Sequence, residues 1–166
     1  DEPKICHYLD IPIQHSSNKI LKKMGRKTTR ESIISQIEMI RDLVPDMALR
    51  TTFITGFPGE TDEDHEENMK FIDEIEFDRL GVFTYSREEG TPAAKMPNQI
   101  DEEIKEDRLN DIMELQQEIA FDKSEQMVGK ELYVMIEGKV ADDNAYVSRT
   151  YMDAPGVDGY LFVQTS

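Results

Sequence analysis

Residues 48–60, ALRTTFITGFPGE, predict a buried β-strand that ends in a tight turn. The first part of this stretch is rich in β-branched and aromatic side chains, and residues 56–59 (GFPG) then break the strand. Thr61 follows as a helix N-cap. The acidic residues 62–64, which come next, complement the dipole of the helix that begins there. The stretch therefore reads as a strand followed by a helix, which is the repeating unit of an α/β fold.

The two faces of this strand differ in chemistry. Because side chains alternate along a strand, Leu49 and Phe53 share a face that would pack under helices. Arg50 and Thr52 share the opposite face, and a charge that points into an interior needs a partner or a ligand. Gly56 would let the backbone approach a bound group closely. A turn that uses glycine only for its dihedral angles would give the same pattern, so this segment alone leaves both interpretations open.

Strands and helices alternate through the first part of the chain. Strands are predicted for residues 5–14, 46–55 and 79–85. Helices are predicted for residues 19–24, for a segment that begins after Thr28 or Thr29 and ends before Pro45, for a segment after Thr61, and for residues 101–127. Their core positions would include Met69, Phe71, Ile72 and Ile75 and, in the long helix, Ile104, Leu109, Ile112, Leu115, Ile119 and Met127. This order implies parallel strands with right-handed crossovers, but three strands are too few to close a barrel.

The pattern changes at Lys130. Residues 132–140 and 145–150 read as the two strands of a β-hairpin around residues 141–144 (ADDN). Residues 159–163 (GYLFV) add one more strand. This piece is all-β and ends before a small barrel would close.

Composition bounds the class of protein and its partners. No apolar run approaches the roughly 20 residues that a membrane span needs, and no signal peptide opens the chain, so we expect a cytoplasmic protein that does not enter a membrane. The net charge of −16 speaks against nucleic-acid binding. The same charge is compatible with a basic partner, although acidic helix faces that only confer solubility would give it too.

The potential metal ligands are few. The single cysteine, Cys6, excludes an internal disulfide or a cluster bound by several cysteines of this chain, and we expect it to pack as a small apolar residue. We expect His15 to be a structural histidine, because no histidine spacing supports a metal site. His65 follows the acidic residues of a helix turn, so we expect it to face solvent. No metal-binding residue is predicted.

The carboxyl ends of the predicted strands carry the residues best suited to bind a ligand. Residues 13–15 (IQH), 55–57 (TGF) and 84–86 (TYS) place polar side chains or glycine where the apolar runs finish. Ligands of βα folds bind at this edge of the sheet, so we expect a small-molecule pocket there. Gln14 would serve equally well as a ligand contact or as the cap of the following turn.

Three strings closely resemble the latter half of radical S-adenosylmethionine methylthiotransferases. They are DIPIQHSSNKILKKMGR (10–26), ALRTTFITGFPGETDED (48–64) and DRLGVFTYSREEGTPAAKMP (78–97). The string SRTYMDAPGVDG (148–159) resembles the run into a TRAM domain, so the resemblance covers essentially the whole chain. It implies a partial (βα)6 barrel, of which strands four to six and the long helix lie in residues 1–127, and a partial TRAM-like β domain in residues 128–166.

Two branches of this family are distinguished by sequence. One modifies adenosines in tRNA, and the other adds a methylthio group to the β-carbon of an aspartate in a small-subunit ribosomal protein. The chain reads IPIQHSS where the tRNA branch typically reads IPxQSGS, and RTTFITGFPGE where that branch reads STDIIVGFPGE. These strings and the acidity favour the ribosomal-protein branch, because a ribosomal protein is basic. The alternatives are the tRNA branch and a non-catalytic scaffold whose β piece docks a protein.

The resemblance also implies cofactors and a site. In such enzymes a 4Fe–4S cluster reduces S-adenosylmethionine to a 5′-deoxyadenosyl radical, which abstracts hydrogen from the substrate before sulfur is inserted and methylated. The implied pocket residues are Gln14, Arg50, Thr52, Ile54, Gly56, Phe57, Tyr85 and Ser86. Gln14 would lie near the methionyl or ribose part of the cofactor, Arg50 would pair with its carboxylate, and Gly56 would flank its adenine.

One motif of the family has no counterpart in the chain. The CxxxCxxC motif that holds the radical-generating cluster is absent, and Cys6 cannot replace it. The 4Fe–4S clusters of the full-length enzyme would therefore use ligands outside this chain. No catalytic residue is predicted here, and we expect this part alone to be inactive.

Overall fold

Two small sheets and four α-helices make up the described part of the chain. The structure is a computed structural model that describes residues 2, 4–141 and 143–165. The first sheet is parallel, in the order β1 (Tyr8–Gln14), β2 (Ala48–Thr55) and β3 (Arg79–Thr84). The helices are α1 (Asn18–Lys23), α2 (Arg30–Leu43), α3 (Asp62–Ile75) and α4 (Glu102–Glu125), with a short 3₁₀ turn at Ala93–Lys95. The second sheet is antiparallel, in the order β4 (Met135–Lys139), β5 (Ala145–Arg149) and β6 (Leu161–Gln164).

The expected fold class is confirmed: a partial parallel α/β sheet is followed by a small all-β piece. The hairpin predicted around residues 141–144 joins β4 to β5, although Asp142 within it lies outside the described residues. The expected division between residues 127 and 128 stays a prediction, and its outer limits, residues 1 and 166, are likewise not described.

Local signals account for where α2 and α3 begin. Thr29 accepts a hydrogen bond from the Ser32 backbone, and the Ser32 side chain accepts one from the Thr29 backbone. Thr61 and Asp64 form the same reciprocal capping box at the start of α3. Such boxes satisfy backbone N–H groups that a helix leaves unpaired at its first turn, so both helices begin where the sequence predicts.

The helices cover one face of the parallel sheet. Leu49 and Phe53 are buried on this face, as their alternation predicted. Phe53, Phe71 and Phe77 form an aromatic group whose ring centroids lie 6.0–6.4 Å apart. The other core residues are Ile13, Leu21, Ile33, Ile37, Ile72, Ile75, Val82, Ile112 and Ile119. Burial of these apolar groups is the main force that holds the helices to the sheet.

The opposite face of the sheet carries paired rows of residues from β2 and β3. Arg50 lies beside Arg79, and Ile54 lies beside Phe83. Phe83 is 61% exposed. No helix of the described residues covers this face, as expected for the interior face of half a barrel.

The loop that connects β5 to β6 contacts the starting ends of the parallel strands. Asp153 accepts hydrogen bonds from Arg79 at the start of β3, and Asp158 accepts one from Arg50. The Tyr151 hydroxyl donates to the backbone oxygen of Asp46, just before β2. This segment, residues 150–159, therefore docks the all-β piece at the edge of the sheet opposite the strand ends predicted to bind a ligand.

Four expectations about individual residues are wrong. Met127 lies beyond the end of α4 at Glu125 and is not among the core residues. His65 is buried rather than solvent-facing, because its Nε2 pairs with Asp111 Oδ2 on α4 at 2.9 Å. Cys6 is exposed, because β1 begins two residues later and leaves it outside the sheet. Ile104 is exposed, and the neighbouring Lys105 faces inward instead.

No helix in residues 2, 4–141 and 143–165 is both long and apolar enough to cross a membrane.

Candidate functional site

The carboxyl ends of the three parallel strands meet at one edge of the sheet. The Tyr85 backbone N–H donates to the Thr55 oxygen at 2.8 Å, which joins the ends of β3 and β2. Gln14, the last residue of β1, lies opposite Phe53 near the end of β2. The structure therefore brings Gln14, Gly56, Phe57, Tyr85 and Ser86 to the same edge, and we call these five residues the strand-end group.

Gln14 has a backbone conformation that non-glycine residues rarely adopt. Its φ is +74°, in the left-handed region, and the pairing of β1 with β2 shifts register between Ile11 and Gln14. A left-handed residue other than glycine costs free energy, so it persists only where its surroundings hold it. Strain of this kind is concentrated at binding sites, and here it marks a residue that the sequence already singled out.

A buried polar network lies directly behind Gln14. Asn68 Oδ1, on α3, accepts hydrogen bonds from Ser16 N at 2.8 Å and from Ser16 Oγ at 2.7 Å. Ser17 N donates to His15 Nδ1 at 2.9 Å. His15 is thus a structural histidine, as expected.

Glu60 closes the turn after β2 from inside. Its Oε2 accepts the backbone N–H of Phe57 at 3.2 Å, and its Oε1 pairs with Arg108 Nη1 on α4 at 3.0 Å. Both side chains are almost completely buried. Arg108 Nη2 also pairs with the exposed Asp62 at 2.7 Å, so it is the removal of Arg108 that would leave a buried charge, the Glu60 carboxylate, without its ion-pair partner. His15 Nε2 lies 3.5 Å from Glu60 Oε2, which connects this ion pair to the network behind Gln14.

Gly56 has a packing role that the sequence did not predict. Its φ is +70°, and the aliphatic stem of Lys105 occupies the space where a β-carbon would lie. The Lys105 ammonium donates to the Tyr85 carbonyl oxygen at 3.0 Å and pairs with Glu102. Lys105 therefore joins the ends of β2 and β3 to α4, and one side of Gly56 is closed to a ligand.

The aromatic residues of the strand-end group pack on each other. The rings of Phe57 and Tyr85 meet edge to face, with centroids 5.2 Å apart. The Tyr85 hydroxyl is buried and has no hydrogen-bond partner among the described residues. Ser86 Oγ donates to Glu88 Oε1 at 2.7 Å on the surface. The Tyr85 hydroxyl is therefore a buried hydrogen-bond donor that no described residue uses.

Arg50 and Thr52 lie nearer the other end of β2. Arg50 Nη1 pairs with Asp10 Oδ2 at 2.9 Å, and Arg50 Nε pairs with Asp158 Oδ1 at 3.3 Å. Burial alone would lower the pKa of Arg50, but these carboxylates raise it, so the guanidinium stays charged. Gly56 is six residues further along, which is about 20 Å in an extended strand. Arg50 and Thr52 are thus separated from the strand-end group, and Ile54 lies between Thr52 and that group.

Comparisons with known proteins agree with this architecture. Residues 2–72 match the family model of the radical SAM superfamily, and residues 128–166 match that of the TRAM domain. A Lachnoclostridium phytofermentans protein named ribosomal protein uS12 methylthiotransferase RimO is 58% identical over 99% of this chain and 37% of its own length. Proteins of the same name from Carboxydothermus hydrogenoformans and Clostridioides difficile are 48% identical over 99% of this chain and 49% identical over 97% of it, which is 37% and 36% of their own lengths.

The chain belongs to the RimO family of radical SAM proteins. The family resemblance is therefore confirmed, and these relatives bear the name of the ribosomal-protein branch that IPIQHSS and RTTFITGFPGE favoured. The chain spans little more than a third of the length of the RimO relatives it matches.

Membership of the radical SAM superfamily implies S-adenosylmethionine and iron–sulfur chemistry in general. No group of three or more His, Cys, Asp or Glu within the described residues is placed to hold a metal ion. Cys6, the one cysteine of the described residues, cannot hold a 4Fe–4S cluster by itself. S-Adenosylmethionine fits better, because a nucleoside needs hydrogen-bonding groups and an aromatic surface, and the strand-end group offers both.

The sequence did not identify the residues that support the strand-end group. They are the buried polar and charged residues His15, Glu60, Asn68, Lys105 and Arg108. A signal was present for two of them, since Lys105 and Arg108 occupy the same stripe of α4 as Ile112 and Ile119, at spacings of three and four. Polar residues on the apolar stripe of a helix indicate a buried polar network.

Proposed function

We propose that the full-length protein containing this chain is a methylthiotransferase that modifies an aspartate of ribosomal protein uS12 at its β-carbon. The observation that carries the proposal is identity of 48–58% over nearly the whole chain to proteins named for this activity. The charge of −16 supports it, because an acidic enzyme surface attracts a basic ribosomal protein. Since ribosomes are cytoplasmic, we propose the same location for the protein.

Within that enzyme, the strand-end group would bind S-adenosylmethionine. The cofactor, together with a 4Fe–4S cluster held by residues outside this chain, would supply the radical and methyl-transfer chemistry. The contribution of this chain would be to bind and orient the cofactor through the side-chain amide of Gln14, the hydroxyl of Tyr85 and the ring of Phe57. The left-handed Gln14 and the unpartnered Tyr85 hydroxyl support this assignment, because both are features that a bound ligand would explain.

Arg50 is the proposed pocket residue with the least support. Asp10 and Asp158 give its surroundings a net negative charge, which disfavours the carboxylate of the cofactor. Thr52 lies beside it and accepts a long hydrogen bond of 3.5 Å from it. Of the interior-facing residues of β2, Ile54 is the nearest to the strand-end group and is proposed to contact the adenine.

The proposed activity is tested with the full-length enzyme, its clusters reconstituted under anaerobic conditions. The enzyme is incubated with S-adenosylmethionine, a sulfur source and a reductant, and in parallel with uS12 or with bulk tRNA. Mass spectrometry of uS12 peptides is expected to find the methylthio group on one aspartate, and none in a reaction without S-adenosylmethionine. Modification of a tRNA adenosine and not of uS12 would instead establish the tRNA branch.

A scaffold without catalysis remains the second class of function. It predicts that uS12 is bound tightly but is recovered unmodified from the same reactions. Docking of the all-β piece through Asp153 and Asp158 favours the enzyme, because these contacts tie it to the sheet rather than leaving it as a free binding module.

A further inference from the structure

We propose that Asn68 is a positioning residue that holds Gln14 in its left-handed conformation for cofactor binding. The inference rests on the proposed cofactor role of the strand-end group. Asn68 lies on α3 and acts through Ser16, two residues after Gln14. Nothing in the local sequence around α3 points to this role, which arises from a contact across 52 positions of the chain.

The conformation of Gln14 needs support from outside its own strand. With φ at +74° it is one of three non-glycine residues with positive φ among the described residues. Pairing with β2 does not hold it in a regular register, because the ladder shifts between Ile11 and Gln14. The segment that follows, residues 15–17, is buried, so its polar groups need protein partners.

Asn68 supplies those partners for Ser16. The side chain of Asn68 is completely buried, and its Oδ1 accepts both the backbone N–H and the hydroxyl of Ser16. The other end of the Asn68 amide lies 3.1 Å from His15 Nε2. With both bonds made, the backbone after Gln14 cannot rotate toward an ordinary strand conformation without leaving buried groups unpaired.

The same network reaches the turn after β2, on the other side of the strand-end group. His15 lies against Glu60, and Glu60 accepts the backbone N–H of Phe57 in the turn after β2. Asn68 therefore fixes the end of β1 relative to that turn from α3, together with Asp64, which accepts a hydrogen bond from Ser17 Oγ at 2.7 Å. It contacts neither Gln14 nor any other member of the strand-end group through a hydrogen bond among the described residues, which makes it a positioning residue rather than a ligand.

The test compares S-adenosylmethionine binding with uS12 binding in the full-length holoenzyme. We expect Asn68→Ala to weaken S-adenosylmethionine binding about tenfold in calorimetry, which corresponds to about 1.4 kcal/mol, and to leave uS12 affinity unchanged. Gln116→Ala is the matched control. Gln116, on α4, is also a buried amide, and it donates to the Phe77 backbone oxygen rather than to a residue near the strand-end group. A loss of folding alone would affect both ligands and both variants alike.

Asn68→Asp extends the test should the alanine variant fail to fold. It keeps an oxygen acceptor for Ser16, so we expect S-adenosylmethionine affinity within about threefold of the parent, and a tenfold loss in a folded Asn68→Asp protein would overturn the proposal. Unchanged affinity in Asn68→Ala, with a clear loss in Gln14→Ala, would overturn it as well. If Gln14→Ala also binds normally, the cofactor assignment of the strand-end group itself is wrong.

Discussion

The side chain of Lys105 lies over the α-carbon of Gly56, in the space that a β-carbon would occupy. Lys105 is on α4, and its ammonium continues to the Tyr85 backbone oxygen at the end of β3. The position of the Lys105 side chain therefore requires glycine at this point of the turn. The sequence suggests that Gly56 gives a ligand access to the backbone. In the structure Gly56 is also the point where the end of β2 packs against α4.

Gly56→Ala is expected to destabilise the fold by about 2 kcal/mol or more, because the new methyl group adds overlap with Lys105 to the cost of a left-handed alanine. Gly25→Ala is the matched control, since Gly25 has φ +77° but no atom within 4 Å of its added β-carbon. Urea denaturation measures both. Adding Lys105→Ala to Gly56→Ala should recover the overlap part of the loss, and equal losses in Gly25→Ala and Gly56→Ala would contradict the packing role.

Tyr85→Phe is expected to lower S-adenosylmethionine affinity about fivefold without lowering stability. The buried hydroxyl has no partner among the described residues, so its removal costs the fold nothing, whereas a hydrogen bond to a ligand is worth about 1 kcal/mol. Calorimetry and thermal denaturation of the full-length enzyme check the two parts. Tyr133→Phe serves as the control because Tyr133 is fully exposed; unaltered affinity in Tyr85→Phe would remove Tyr85 from the pocket.

Asp158→Asn is expected to loosen the docking of residues 150–159 and to destabilise the fold by about 2 kcal/mol. Asp158 is nearly buried and accepts from the charged Arg50, and hydrogen bonds to charged groups are worth about 1.5–3 kcal/mol. Hydrogen exchange in residues 150–159 and chemical denaturation measure the change. Glu137→Gln, which breaks the more exposed pair with Arg149, should cost under about 1 kcal/mol; similar effects from both variants would argue against a docking role.

Asp64 is expected to make the fold sensitive to acid. Burial raises its pKa, but hydrogen bonds from Lys19, Thr61 and Ser17 outweigh burial and lower it to about 2. The folded pKa lies below the unfolded value of about 3.9, so the stabilisation is complete above pH 4 and is lost as pH falls towards 2. Urea denaturation of parent and Asp64→Asn proteins should therefore give a stability difference that shrinks between pH 4 and pH 2. A difference that is constant across this window would exclude a perturbed Asp64.

The order and type of the elements followed from short-range signals. The caps at Thr29 and Thr61 act within three residues, and strand alternation separates Phe53 from Arg50 in the same way wherever the strand lies. These signals were enough to place the three strand ends at one edge, because parallel strands bring their carboxyl ends together. The strand-end group was therefore accessible from the sequence.

The support of that group was not accessible in the same way. His65 was expected in solvent, since its neighbours on α3 are acidic, but it pairs with Asp111 across 46 positions. Arg50 was expected to need a partner or a ligand, and the partner that the sequence did not reveal is Asp158, 108 positions away. In each case the pairing partner is remote in the chain, so no local pattern carried the information.

The sequence by itself determined the alternation of strands and helices, the caps, the strand-end group and, through its motifs, the RimO family. Only the tertiary structure decided which polar side chains are buried together, namely Asn68 with Ser16, Glu60 with Arg108, and Lys105 over Gly56. The physical reason is range. Backbone hydrogen bonding and side-chain alternation act over a few residues, whereas the cost of burying a charge or an amide is removed only by a partner that folding brings from far along the chain.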